Sequence, residues 1–149
     1  MVRLSSEIVM MEMAFALAGR STCDRLQVGA LIARDFRVIS TGYNGNVAGS
    51  LHCHHASDPT PCTTAVHAEA NALVFAARHG VAVHKADLFT THMPCLSCAK
   101  LIVNSGLGRV FYENSYRLTE GVELLIDSGL LVFRIREDNS IVQMTQSML

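Results

Sequence analysis

The sequence predicts an α/β fold with three layers, α/β/α, around a mixed sheet of about five strands. Three observations predict it. Helical and strand-like stretches alternate through the second half, which requires parallel strands joined by crossover helices. Two β-rich runs in the first half are separated only by Arg34, Asp35 and Phe36, so an antiparallel hairpin joins the sheet. The 149 residues are 50% hydrophobic and 17% charged, enough for one well-buried domain spanning 1–149.

The elements follow in order. Residues 5–18 carry Ile8, Met11, Phe15 and Ala18 at helical spacing, with Gly19 as a stop. Residues 28–33 and 37–43 are the hairpin strands. Residues 44–63 form a long irregular stretch with three His and two Cys; a loop of this length in a compact domain is functional or disordered, and its metal-capable residues favour function. Residues 64–79 are Ala-rich and helical, stopped by Gly80. A strand at 86–91 precedes Pro94, which opens a helix over 95–104. A strand at 109–112, a helix at 119–128 and a strand at 130–136 complete the alternation. The polar tail 137–149 is expected to fray or to pack on a neighbouring subunit.

Composition excludes several functions. Lys and Arg number 12 against 13 Asp and Glu, a net charge of −1. That balance offers no basic stripe for nucleic acid and no polybasic contact for a membrane. Residues 13–19 read M-A-F-A-L-A-G, but Glu7 and Glu12 interrupt the apolar region, so an amphipathic helix is expected rather than a signal peptide. No apolar run is long enough to span a bilayer, and a cytoplasmic location is expected. Five cysteines, an odd number, suit a reduced compartment, where short spacings indicate metal or catalysis.

Two motifs carry that chemistry. His67-Ala68-Glu69 lies in the first turn of one predicted helix, and Pro94-Cys95-Leu96-Ser97-Cys98 opens another. Cys95 and Cys98, three residues apart, share a helix face. A helix N-terminus favours negative charge and lowers thiol pKa values. Two thiolates and the neutral His67 imidazole make three zinc ligands, which leaves a fourth position for water, as in catalytic sites. Zinc brings the pKa of such a water toward about 7. Glu69 is then the proton shuttle, taking a proton from water and giving it to a ring nitrogen and a leaving amine. The plainer alternative is a closed structural zinc knot, which has no need of Glu69.

The two halves match the H-x-E and P-C-x-x-C signature of zinc nucleobase deaminases. Three stretches also resemble the deoxycytidylate (dCMP) deaminase family: R-S-T-C-D-R-L-Q-V-G-A at 20–30, T-G-Y-N-G at 41–45 and V-H-A-E-A-N-A-L at 66–73. P-C-L-S-C-A-K at 94–100 is similar as well, and the resemblance runs from about residue 20 to residue 136. It implies a cytidine-deaminase-like fold and zinc-dependent hydrolysis of dCMP to dUMP and ammonia, feeding thymidylate synthesis. By position, His67, Cys95 and Cys98 would bind zinc and Glu69 would move protons. Asn44 would meet the deoxyribose hydroxyl, though Asn-Gly is also an ordinary turn former. The backbone near Ala68 and Cys95 would meet the pyrimidine edge. Tyr116 would close over the sugar or phosphate, or is an ordinary half-buried tyrosine. Arg25 and Arg117 are the candidate phosphate partners against a plain solvated reading, and Arg109 has an equally good structural one.

The resemblance also implies a second, structural zinc held by Cys23, Cys53 and Cys62, with His52, His54 or His55 as fourth ligand. Otherwise Cys23 is a small buried hydrophobe and the other two are free thiols. Candidate effectors are dCTP and dTTP, with Mg2+ only alongside a triphosphate. Val47 stands where many members carry Pro. Many members are hexamers, and a homo-oligomer is expected here. The alternatives are a deaminase of 5-methyl- or 5-hydroxymethyl-dCMP, a deaminase of another nucleotide or base, and a non-catalytic nucleotide sensor. One methyl group is worth only about 1–3 kcal/mol of discrimination.

Overall fold

The computed structural model describes residues 3–55 and 62–149. Its elements are α1 (Ser6–Ala18), β1 (Gly29–Arg34), β2 (Arg37–Tyr43), α2 (Ala68–Arg78), β3 (Asp87–His92), α3 (Leu96–Ser105), β4 (Arg109–Asn114), α4 (Glu120–Asp127), β5 (Leu131–Ile135) and β6 (Ile141–Gln143). They build one mixed sheet in the order β2-β1-β3-β4-β5-β6. The strands β3, β4 and β5 run parallel, while β1 is antiparallel to both β2 and β3.

Local chemistry explains the elements. The Ser5 hydroxyl accepts from the Ile8 amide at 3.3 Å and caps α1. Asp35 and Phe36 both take positive φ, 49° and 55°, the turn geometry that suits the right-handed twist of a two-residue hairpin. Phe36 tolerates this strain because its ring packs against the apolar cluster beneath α1. On that face Ile8, Met11 and Ala14 cover Leu31, Phe89 and Phe111. The Phe89, Phe111 and Phe133 rings stack across three parallel strands with centroids 4.5 and 4.9 Å apart. Each such pair adds about 0.5–1.5 kcal/mol beyond simple burial. On the other face α2, α3 and α4 press Ala68, Ala72, Ala99, Ile102 and Leu125 onto the sheet.

Two expectations change. The sheet has six strands, not about five, because the tail supplies β6. Asp138 accepts from the Ser140 amide at 2.9 Å and Asn139 adopts φ 64°, so the chain turns back and β6 pairs antiparallel with β5. The tail is thus tied to its own sheet rather than frayed through 141–143. The helix expected from residue 64 begins instead at Ala68. Val66 is held extended by two backbone bonds with Gly45, at 3.1 and 2.8 Å. That bridge satisfies its polar groups outside a helix and leaves His67 as the N-cap.

Topology then fixes where chemistry can occur. Since α2 leads back to the start of β3 and α3 follows its end, both helix N-termini lie at the carboxyl end of β3. That edge of an open α/β sheet is where ligands bind.

A candidate metal centre between two helix N-termini

His67 caps α2 and Cys95 caps α3, both with extended backbone. Neither side chain makes the usual capping bond to its own helix. They are free to face each other across the gap. His67 Nδ1 lies 3.4 Å from Cys95 Sγ and 3.4 Å from Cys98 Sγ. The three donor atoms all fall within 4.8 Å of one another. A tetrahedral zinc with nitrogen at about 2.0 Å and sulfur at about 2.3 Å has an N-to-S edge of about 3.5 Å. The donor set therefore fits zinc in both chemistry and spacing.

The electrostatics suit the same ion. The Cys98 thiol and the His67 ring both donate toward Cys95, and its pKa falls to about 3. Cys98 beside that thiolate is held well above the usual thiol range, first by its hydrogen bond to Cys95 and then by burial. His67 is raised by its bond to Cys95. A divalent cation would displace these shared protons, so binding couples to pH.

Glu69, one residue into the first turn of α2, is buried. Burial pushes its carboxyl above the usual range. The Cys98 thiol donates to Glu69 Oε2 at 3.6 Å. This is a protonatable group within reach of the fourth position that three ligands leave open.

Among the described residues a second group converges: Cys23, Cys53, His55 and Cys62, again with donor atoms within 4.8 Å of one another. Cys23 and Cys53 lie on segments joined by a backbone bridge. Burial and the neighbouring thiol push Cys53 up to about 12. Burial also pushes Cys62 up, but hydrogen bonds from Thr64 and Ala65 outweigh it and set it near 6. The buried His55 Nε2 has no hydrogen-bond partner. A buried, unpartnered nitrogen beside three thiols has the chemistry of a metal ligand. His54 instead lies 3.6 Å from Asp24, and His52 lines a separate cleft.

The other sequence candidates fall in different places. Asn44 is buried, and its Oδ1 accepts from Ser21 Oγ at 2.6 Å and from the Val28 amide at 2.8 Å. Its Nδ2 donates to the Leu26 carbonyl at 2.7 Å. It clamps the 20–28 loop to the end of β2 and keeps one amide hydrogen uncommitted. Tyr116 and Arg117 are exposed on the segment between β4 and α4, and Arg25 is exposed on the loop after α1. Arg109 is structural: its guanidinium grips Asp87 at 2.8 and 2.5 Å and lies over the Phe111 ring.

Two residues were not singled out from sequence. Asn71 Nδ2 donates to the Tyr43 carbonyl at 2.8 Å, tying α2 to the end of β2. Asn114 holds the segment entering α3, donating to the Thr91 carbonyl at 3.0 Å and accepting from the Met93 amide at 2.8 Å. Asn71 lies within the same V-H-A-E-A-N stretch as Glu69, which was its available signal. Asn114 ends a strand with no local signal at all.

A cleft of about 520 Å³ lies beyond α2, bordered by Gly45, Asn46, His52, Asn71, Phe75 and Arg78. No helix among the described residues is long and apolar enough to cross a membrane.

Comparison with known proteins gives a consistent picture. Residues 4–114 match the cytidine and deoxycytidylate deaminase zinc-binding region. ComE operon protein 2 of Bacillus subtilis is 37% identical over 148 residues, 97% of this chain and 78% of that protein. The deoxycytidylate deaminase of Mycobacterium phage D29 is 41% identical over 114 residues, 66% of this chain and 87% of the relative. The crystal structure of dCMP deaminase from the cyanophage S-TIM5, in complex with dCMP and dUMP, superposes with a TM-score of 0.83 at 31% identity, covering 90% of this chain and 99% of that one.

Proposed function

The chain belongs to the cytidine and deoxycytidylate deaminase zinc-binding family, and from that premise we propose that it hydrolyses dCMP to dUMP and ammonia, supplying dUMP for thymidylate synthesis. One observation carries the reading: a buried carboxyl, Glu69, stands 3.6 Å from Cys98 within a three-donor cluster at two helix N-termini. A closed structural site has no use for that acid.

His67, Cys95 and Cys98 hold the zinc. Zinc held there would supply Lewis acidity, which lowers the pKa of a water toward neutrality. Glu69 takes a proton from the attacking water on its carboxylate and delivers it to ring N3, then carries the second proton to the departing amine. Burial raises its pKa and so favours the protonated form of this carboxyl, as suits a group that must carry a proton. Water and dCMP thus become dUMP and ammonia, with Glu69 returned to its starting state. The backbone at Ala68 and Cys95 meets the pyrimidine edge. The free amide hydrogen of Asn44 reaches the deoxyribose hydroxyl, Tyr116 covers the sugar, and Arg25 and Arg117 face the phosphate.

Cys23, Cys53, His55 and Cys62 hold a second, structural zinc. Four ligands close that site and tie the segments that carry Cys23, Cys53 and Cys62 together. The cleft beside Arg78 takes a dCTP or dTTP effector, with Mg2+ accompanying the triphosphate. The buried Asn46 Oδ1 there has no hydrogen-bond partner, as suits an acceptor for a nucleotide edge. The chain assembles as a homo-oligomer, a hexamer, through exposed apolar side chains such as Met13, Phe15, Val74 and Phe75.

A spectrophotometric assay across cytidine, deoxycytidine, CMP, dCMP, dCTP and 5-methyl-dCMP tests the substrate. Turnover of dCMP far above deoxycytidine is expected. No turnover of any pyrimidine by the zinc-loaded protein would overturn the proposal.

A further inference from the structure

Two glycines touch the metal centre only through backbone. A Cβ built on Gly121, in the first turn of α4, would lie 2.1 Å from the Pro94 carbonyl oxygen and 2.8 Å from the Cys95 carbonyl carbon. A Cβ on Gly42, in β2, would lie 2.2 Å from the Ala68 carbonyl oxygen and 2.5 Å from the Ala72 amide nitrogen. Both distances are far inside contact, and both obstacles are main chain, which cannot rotate away. Neither glycine takes a positive φ. Close approach, not backbone freedom, is what demands glycine at these two places.

The consequence differs between the two halves of the cluster. Gly121 lets α4 rest against the residue that provides the Cys95 sulfur. Gly42 lets α2 sit down on β2, and α2 carries His67 at its cap and Glu69 in its first turn. An added methyl at either site pushes one half of the donor set away from the other. The 3.4 Å separations between His67 Nδ1 and the two sulfurs are the quantity that moves.

We propose that Gly42 and Gly121 are positioning residues that set the spread of the metal ligands, each by seating one ligand-bearing helix N-terminus. The inference rests on the assignment of His67, Cys95 and Cys98 as metal ligands. Gly29 provides the control. Its added Cβ would lie 2.0 Å from the Ala14 carbonyl oxygen, an equally close contact, but with α1 on the opposite face of the sheet.

The test loads cadmium, as its spin-active isotope, into wild type, Gly42→Ala, Gly121→Ala and Gly29→Ala, and records cadmium NMR. A two-thiolate site resonates apart from a three-thiolate site, so the second cluster does not obscure the first. The two-thiolate resonance is expected to shift or broaden in Gly42→Ala and Gly121→Ala, with metal held about tenfold more weakly in chelator competition. Gly29→Ala is expected to melt at lower temperature with that resonance unmoved. Folded Gly42→Ala and Gly121→Ala proteins with wild-type resonance and affinity overturn the proposal. So does a failure of both to fold, since the glycines then serve general packing. If only one folds, its resonance decides. Wild type lacking any two-thiolate resonance would instead refute the ligand assignment itself.

Discussion

The two cysteine–histidine clusters use the same kinds of donor, imidazole nitrogen and thiol sulfur, yet they are built differently. His67, Cys95 and Cys98 stand on two helix starts that the sheet holds in place. Cys23, Cys53, His55 and Cys62 stand on loop segments, of which those at 23 and 53 share a backbone bridge. Each cluster holds one thiol lowered, Cys95 to about 3 and Cys62 to about 6, and one raised, Cys98 and Cys53. What separates them is the fourth corner. The first offers three donors with the Glu69 carboxyl beside them, so a tetrahedral ion there would keep one corner open; the second offers four donors. Thiol chemistry alone therefore does not tell a reactive centre from a fastening. The number of ligands and the presence of an acid do.

The sharpest way to break this contrast is Glu69→Gln. Activity should fall about a thousandfold or more, the upper range for losing a general acid–base, while the zinc content of the first cluster is unchanged by metal analysis. Retained turnover would erase the functional difference between the clusters.

The next largest effect lies in the second cluster. Cys53→Ser should reduce the metal content by one ion per chain. It should also remove the stability that ion confers, about 4 kcal/mol where free zinc stands a thousandfold above its dissociation constant. Thermal melts with and without zinc measure it, and the folded fraction should keep its catalytic rate per active site.

A third prediction concerns pH in metal-free protein. Burial raises the Glu69 carboxyl in the folded chain above its unfolded value. Between those two values the native state binds more protons than the unfolded state, so stability falls as pH rises, by up to about 1.4 kcal/mol per pH unit. Glu69→Gln removes this dependence. Denaturant titrations should show the variant gaining on wild type as pH climbs above the ordinary glutamate pKa of about 4.3. Parallel curves would mean that the acid is not held in a desolvated state.

The smallest effect probes the exposed segment between β4 and α4. Arg117→Ala should raise KM for dCMP about fivefold, or about 1 kcal/mol, with deoxycytidine unaffected because it carries no phosphate.

Much of the first cluster was legible because its information is local. H-x-E and P-C-x-x-C each fix their side chains within one helical turn, and alternation of elements was enough to bring the two turns to one end of a sheet. The second cluster draws on residues 23, 53, 55 and 62, and no spacing rule joins segments so distant. The approach of Cys23 to Cys53 depends on a backbone bridge that only folding makes. The start of α2 was misplaced for a similar reason: Val66 is claimed by Gly45, some twenty residues upstream, against its local helical preference. Asn44 read as a turn former or a sugar contact, and only the structure shows three of its hydrogen-bonding positions committed to Ser21, Leu26 and Val28.

The hairpin that returns from β5 to β6 has a consequence for how this protein behaves in concentrated solution. Without β6, the strand at Leu131–Ile135, L-V-F-R-I, would be the rim of the sheet, with its amides and carbonyls open to any strand that drifted by. Such a short apolar segment is the kind that recruits copies of itself into fibrils. Three residues, Ile141–Gln143, occupy that rim and present a new one too short to template growth. Residues 137–149 act as a hem, and a chain trimmed at residue 136 would be expected to lose its shelf life.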